Sequence, residues 1–247
     1  MSEPAAATEH ARSGSTLAAL YVLLLRMQVT PWRLLGLAGL GAIAVVLAIA
    51  ARGADDPLRA TAEVVIGYGL ALALPLATLW LATSTVGDLL EDKLVVYLWL
   101  KPIPRWQLPA AAIAATMTVV LPLVAVPLVV AALVAGTDQL IGALLLASVL
   151  AVAAYAGLFV AAGLWFRRAL WLGLVYILVW ENGLARSIDG VARLSIASYA
   201  QSIVTDAANL AGDYADRSPG ARVVVPLAVC AAGFALAVLR YRRTEID

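Results

Sequence analysis

LPAAAIAATMTVVLPLVAVPLVVAALVA, from Leu108 to Ala135, runs for 28 residues without an Asp, Glu, Lys, Arg or His. A helix rises about 1.5 Å per residue, so roughly 20 residues cross a hydrocarbon core of about 30 Å. Water cannot solvate such a run, whereas in lipid a helix satisfies its own backbone groups. The reading is a membrane-spanning helix, and working outward from it finds others. Leu140–Phe166 follows at once, and Val64–Val86 and Leu34–Ala51 precede it, with the polar stretch Arg52–Glu63 between those two. Val223–Leu239 closes the chain. Ala169–Trp180 is apolar for only a short way before Glu181, and it spans if it continues through Asn182, Gly183 and Leu184 to Ala185. Six spans are expected, the fifth resting on a crossing that puts Glu181 near a membrane surface.

Composition agrees. Of 247 residues 63% are hydrophobic and 13% charged, with a mean hydropathy of +0.93, where soluble domains are about a quarter charged. A net charge of +1 gives no reason to expect nucleic acid as a partner. Cys230 is alone, so there is no disulfide framework or thiol metal site. The start, with Glu3, Glu9, His10 and Arg12, makes a poor signal peptide. Residues 1–15 are expected to be a disordered cytoplasmic tail, and residues 16–247 a single membrane domain.

Basic residues orient the spans. With the N-terminus inside, the inner segments hold Arg12, Arg26, Arg33, Lys93, Lys101, Arg105, Arg167, Arg168, Arg240, Arg242 and Arg243, which are 11 of the 17 Lys and Arg. Four of the remaining six lie in one long loop, Arg186–Arg222. That asymmetry places both termini on the cytoplasmic side.

Prolines punctuate the spans: Pro75 in the second, Pro122 and Pro127 in the third. Each removes a backbone donor and bends its helix, which neighbouring helices must compensate. Three segments are neither spans nor simple loops. Thr16–Thr30 is apolar from Leu17 to Leu25 and then meets Arg26, which suits a helix lying along the inner leaflet. Gly87–Trp106 joins the second and third spans inside the cell. It opens with Asp88, Glu91 and Asp92 and continues with Lys93 and Lys101 before Pro102, an order that suits a helix dipole. Leu90, Leu94, Tyr97 and Leu98 recur at helical spacing there. In the outer loop Ile188, Val191 and Leu194, then Ile196, Tyr199 and Ile203, repeat every three or four residues, which predicts one or two outer-surface or re-entrant helices.

Several chemistries lack their residues. No GxxxxGK[ST] loop occurs, and the single histidine, His10, lies in the tail. Spans one to four and six carry no Asp, Glu, Lys or Arg inside their apolar runs, which argues against proton-driven transport, and the halves show no internal repeat. Trp80, Trp165, Trp171 and Trp180 stand near span ends, as interfacial anchors do.

The run Glu91-Asp92-Lys93-Leu94-Val95-Val96-Tyr97-Leu98-Trp99-Leu100-Lys101-Pro102-Ile103-Pro104-Arg105 resembles the E-x-G-T-L-x-x-L-L-x-x-P-[IV]-x-R region of ABC-2 type permeases, the membrane subunits of ABC exporters. Pro102, Ile103 and Arg105 fit that pattern, while the family's Gly-Thr pair falls on Lys93 and Leu94. Tyr176–Leu184 and the basic ending Arg240–Glu245 also resemble segments of that family. The resemblance implies an all-α fold with an N-terminal interfacial helix, a cytoplasmic coupling helix and an outer helical segment before the last span. It implies a transport subunit, not an enzyme, in the inner cell membrane. It also implies a separate ABC ATPase that holds ATP and Mg, a second permease subunit, and docking of the ATPase on Asp88, Glu91, Asp92, Lys93, Tyr97, Lys101 and Arg105. No cofactor is expected in this chain, and membrane lipids are its surroundings. The path would be lined by apolar and small residues, so a lipidic or amphipathic substrate is favoured over a small ion. Other readings are an ATP-independent transporter or channel and a membrane scaffold. Glu181 has three: facing an outer cavity, capping a helix, or pairing with Arg186.

Overall fold

A computed structural model describes residues 3–91, 104–185, 189–210 and 217–243, with side chains described from Thr16 onward except at a few positions near segment ends. The described residues are helical throughout, with no strand. In chain order they form α1 (Glu3–Gln28), α2 (Pro31–Ala51), α3 (Pro57–Val64), α4 (Leu74–Glu91), α5 (Gln107–Val120), α6 (Val126–Ala135), α7 (Ile141–Trp165), α8 (Ala169–Val175), α9 (Asp189–Ala192), α10 (Ile196–Ala207) and α11 (Pro219–Arg243). Wider π-helical turns join some of these without a break. Val65–Ala73 links α3 to α4, Leu121–Ala125 links α5 to α6, and Tyr176–Leu184 continues α8.

Among the described residues five helices are long and apolar enough to cross a membrane: Pro31–Ala51, Pro57–Thr85, Gln107–Ala135, Asp138–Trp165 and Pro219–Tyr241. Each coincides with a run read from the sequence, and together they make the chain a multi-pass membrane protein. Ala169–Leu184 is a shorter apolar helix. It nevertheless runs antiparallel to α4 from one end of the bundle towards the other. Gly173 lies against Leu79 near its start, and Asn182 reaches Ala71 near its finish.

The bundle has a centre and a periphery. Of the most apolar stretch of Asp138–Trp165, 72% is buried, against 28% for Pro31–Ala51 and 17% for Pro219–Tyr241. The helix α7 therefore forms the axis, packing on α4, α10 and, most extensively, α11. Leu35, Val46, Val224 and Leu227 point outward from α2 and α11. In water such a surface would drive association; in a bilayer it is the ordinary lipid-facing surface.

Turn chemistry sets the boundaries. Thr30 and Pro31 break α1 from α2, with Pro31 in the first turn, where its missing N–H costs nothing. Asp56 accepts from the Arg59 N–H at the start of α3, followed by Pro57. Gly136 ends α6 in the left-handed region at φ 75°, where a side chain would be strained. The first helix begins at Glu3, earlier than its apolar pattern, which starts near Thr16. Pro4 and the Ala5–Ala7 run favour helix there without contributing periodicity.

A buried polar contact ties α1 to the bundle. The Gln28 side chain is fully buried and donates to the hydroxyls of Thr85 on α4, at 2.7 Å, and Thr116 on α5, at 3.2 Å. Further along, the Tyr21 hydroxyl donates to Thr118 at 3.0 Å. The apolar helix too short to cross is thus fixed to one end of the bundle, beside the end of α4 and the start of α5.

Candidate functional site

The segment that resembles a coupling helix is only partly described. Asp88 and Glu91 stand on the last two turns of α4, which carries the chain beyond the apolar run ending at Thr85. Arg105 lies half-buried in the turn that leads into α5. Asp92, Lys93, Tyr97 and Lys101 fall outside the described residues. What the fold does establish is shared location. The end of α4, the Arg105 turn and the C-terminal end of α1 belong to one end of the bundle, because Gln28 joins α1 to both α4 and α5.

Deeper in the bundle, beside the middle of α7, lies the most elaborate polar cluster among the described residues. Glu181, 3% exposed, sits in the π-helical continuation of α8. Its carboxylate is engaged on both oxygens. Oε1 accepts from the Tyr176 hydroxyl at 2.8 Å and the Ile196 N–H at 3.0 Å. Oε2 accepts from the Ser195 hydroxyl and from the Ala197 N–H at 3.4 Å. Ile196 and Ala197 open α10, whose Ser195 cap also accepts from the Ser198 N–H at 3.1 Å. A buried carboxylate is tolerable only when donors replace its water, and helix-start N–H groups are suitable donors because the dipole favours negative charge there.

Aromatic rings close the site. Tyr155 stacks on Phe159 with centroids 5.7 Å apart, and Phe159 meets the edge of Tyr176 at 6.3 Å. The buried Tyr155 hydroxyl faces Glu181 from α7. Of the three readings of Glu181, the geometry shows the capping one: its donors come from the start of α10, while Arg186 lies outside the described residues. The carboxylate holds the start of α10 against the middle of α7 and the continuation of α8.

The next residue solves a separate problem. Asn182 donates from Nδ2 to Ala71 O at 3.0 Å and to Ile177 O at 2.9 Å. Ala71 is four residues before Pro75, so its carbonyl is the one that a donor at position 75 would take in an α-helix. The π-helical turns Val65–Ala73 and Tyr176–Leu184 meet at this bond. Such turns leave carbonyls displaced from regular pairing, and a cross-helix amide is one way to satisfy them.

Sequence reasoning singled out Glu181 but missed its partners Tyr176 and Ser195, and it missed the separate polar contacts of Asn182 and Gln28. Ser195 carried a readable signal, a serine immediately before the periodic run Ile196, Tyr199, Ile203. Gln28 and Asn182 are single polar residues in apolar surroundings, and sequence alone does not say which neighbours they meet. Among the described residues no group of three or more His, Cys, Asp or Glu gathers to hold a metal ion.

No known protein-family model matches the chain, and no curated protein matches it either.

Proposed function

We propose that the chain is the membrane subunit of an ATP-driven exporter of the ABC-2 type, working in the inner cell membrane with a separate ABC ATPase and a second permease subunit. The observation that carries the reading is the run Glu91–Arg105, whose acidic start, apolar middle and Pro-Ile-x-Arg ending resemble the family's coupling segment. Its position supports the reading. The run continues from a helix that already extends past its apolar stretch, and it returns at a turn leading straight into the next long helix.

In this reading the chain has six spans, Ala169–Ala185 being the fifth, and both termini are cytoplasmic. Sixteen residues of Ala169–Leu184 give at most about 24 Å of helix. The crossing is therefore short, and the carboxylate-capped α10 completes it at the outer surface. ATP binding closes the ATPase pair, the charged segment relays that movement, and the bundle exchanges between two states that bind the loaded ATPase differently. ATP and Mg belong to the ATPase, and this chain contributes no catalytic residue. The apolar character of the spans supports a lipidic or amphipathic substrate.

The test is purification of the full chain from its own membranes, followed by assay of bound ATPase. Wild type is expected to retain an ABC ATPase with measurable ATP hydrolysis. Glu91→Arg combined with Asp92→Arg is expected to lower retention at least tenfold without changing the thermal stability of the chain. An ATPase retained equally by the reversed variant, or absent from wild type, overturns the reading.

A further inference from the structure

A cleft of about 800 Å³ opens at the end of the bundle that carries Gln28 and the end of α4. One wall is the last apolar turns of α4, with Ser84; the other is the connection from α7 to α8, with Gly163, Phe166, Arg167, Arg168 and Trp171. Three features of this cleft converge. Arg167 and Arg168 are exposed, and among the described residues no acid pairs with either. Phe166 and Trp171 are 52% and 66% exposed beside them, giving an apolar rim next to a cationic floor. Gly163 is buried at the back, where it adds no side chain to narrow the space. The same end bears Trp165 with the Arg240 guanidinium 5.4 Å above its ring, an arrangement suited to a membrane–water boundary.

From this geometry we infer that the cleft binds one anionic phospholipid-like amphiphile, its phosphate on Arg167 and Arg168 and its chains along Phe166, Trp171 and the neighbouring lipid. Guanidinium groups present paired donors that match phosphate oxygens. Two arginines that pair with no acid among the described residues, beside exposed aromatics, complement a molecule that is anionic at one end and apolar at the other. A soluble anion would use the floor and leave the rim wet; a neutral lipid would use the rim and leave two charges uncompensated. The inference requires only that the chain sits in a membrane, so it stands or falls separately from the ATPase reading.

The experiment is native mass spectrometry of the full chain released from nanodiscs. The discs contain phosphatidylglycerol and phosphatidylcholine in equal parts, with inorganic phosphate as the competing soluble anion. Wild type is expected to retain one phosphatidylglycerol in preference to phosphatidylcholine. Arg167→Ala with Arg168→Ala is expected to lower that preference about tenfold, in line with the attraction of basic side chains for anionic lipid. Arg167→Lys with Arg168→Lys, which keeps the charge, should retain most of it and controls for folding. The basic pair Arg52→Ala with Arg59→Ala, at the other end, should leave it unchanged. Equal retention by the alanine and wild-type proteins overturns the inference. So does displacement of the lipid by millimolar inorganic phosphate, or an equal loss in the Arg52 and Arg59 variant.

Discussion

The side-chain amide of Asn182 donates to the carbonyl of Ala71 at 3.0 Å, and Ala71 stands four residues before Pro75. A proline inside a membrane helix removes the donor that this carbonyl would otherwise meet, and no water replaces it in hydrocarbon. Asn182 supplies the donor from a different helix. Asn182→Leu is expected to destabilise the bundle by about 1–3 kcal/mol, the usual cost of leaving a buried polar group unsatisfied. Pro75→Ala restores a local donor, so the double variant should lose less stability than the sum of the two single losses. Thermal unfolding of the four proteins in detergent measures that coupling. Additive losses would show that Asn182 does not answer for the proline.

Glu181 poses a sharper case because four donors converge on one carboxylate. Glu181→Ala leaves the Ile196 and Ala197 N–H groups, together with two hydroxyls, without an acceptor. The expected cost is about 1–3 kcal/mol, concentrated in α10. Glu181→Gln keeps one acceptor oxygen and is expected to lose less. Amide hydrogen exchange separates the effects: residues 196–200 should exchange faster in the alanine variant while the centre of α7 stays protected. Uniform acceleration across the bundle would mean that Glu181 supports the whole fold and not the start of α10.

The five long helices were legible because hydrocarbon imposes one rule, about 20 apolar residues per crossing, and Leu108–Ala135 satisfies it without ambiguity. Pro75 likewise announced a freed carbonyl, though not which donor would reach it. The helix α10 was visible through the spacing of Ile196, Tyr199 and Ile203, and the structure buries all three within the bundle. Other features escaped for physical reasons. The π-helical turns depend on tertiary pairing at Ala71 and Ile177 and have no composition of their own. Three of the four donors to Glu181 come from residues 14 to 16 further along the chain, brought back by packing. Ala169–Leu184 sits at the margin of the length rule, and its packing beside α4, with Gly173 against Leu79 and Asn182 at Ala71, was not legible from hydropathy.

Backbone contact between α7 and α11 predicts an asymmetric response to glycine substitution. A Cβ on Gly233 would stand 2.4 Å from the carbonyl carbon and oxygen of Gly157, and one on Gly157 would stand 2.8 Å from Cys230 O. These are backbone atoms, which cannot swing aside, so the helices must separate. Gly233→Ala should therefore lose about 1–3 kcal/mol, despite the better helix propensity of alanine. Gly142→Ala, also in α7 but with nothing within 4 Å of the added carbon, should be neutral or gain up to about 1 kcal/mol. Melting temperatures of the two variants decide the matter: equal shifts would contradict the close crossing.

Gln28 anchors α1 through Thr85 and Thr116. Removing it tests whether α1 is an independent surface helix or part of the bundle. Gln28→Ala loses both bonds and leaves a void, which should release α1 before anything else unfolds. Limited proteolysis is expected to cut after Arg26 at least several-fold faster in the variant, with the fragment from α2 onward remaining intact. Unchanged cleavage would show that apolar contacts of Leu20 and Leu24 alone hold the helix down.

The last prediction concerns acid. Arg222, at the start of α11, donates to Asp206 at the end of α10 across 2.8 Å, and also to Arg217 O at 2.8 Å. Its hydrogen bond, and then its charge, hold the Asp206 carboxyl below the usual carboxylate range. A group with a depressed folded pKa contributes stability above its unfolded value, about 3.9, and loses it as pH falls through the folded value. The melting temperature of wild type should therefore exceed that of Asp206→Asn from neutral pH down to about 5, and the gap should close as the carboxyl protonates below that. Asp206 is well exposed, so molar salt should narrow the same gap at neutral pH. A gap that ignores both acid and salt would mean that Asp206 acts through the packing of α10 and not through its pairing with Arg222.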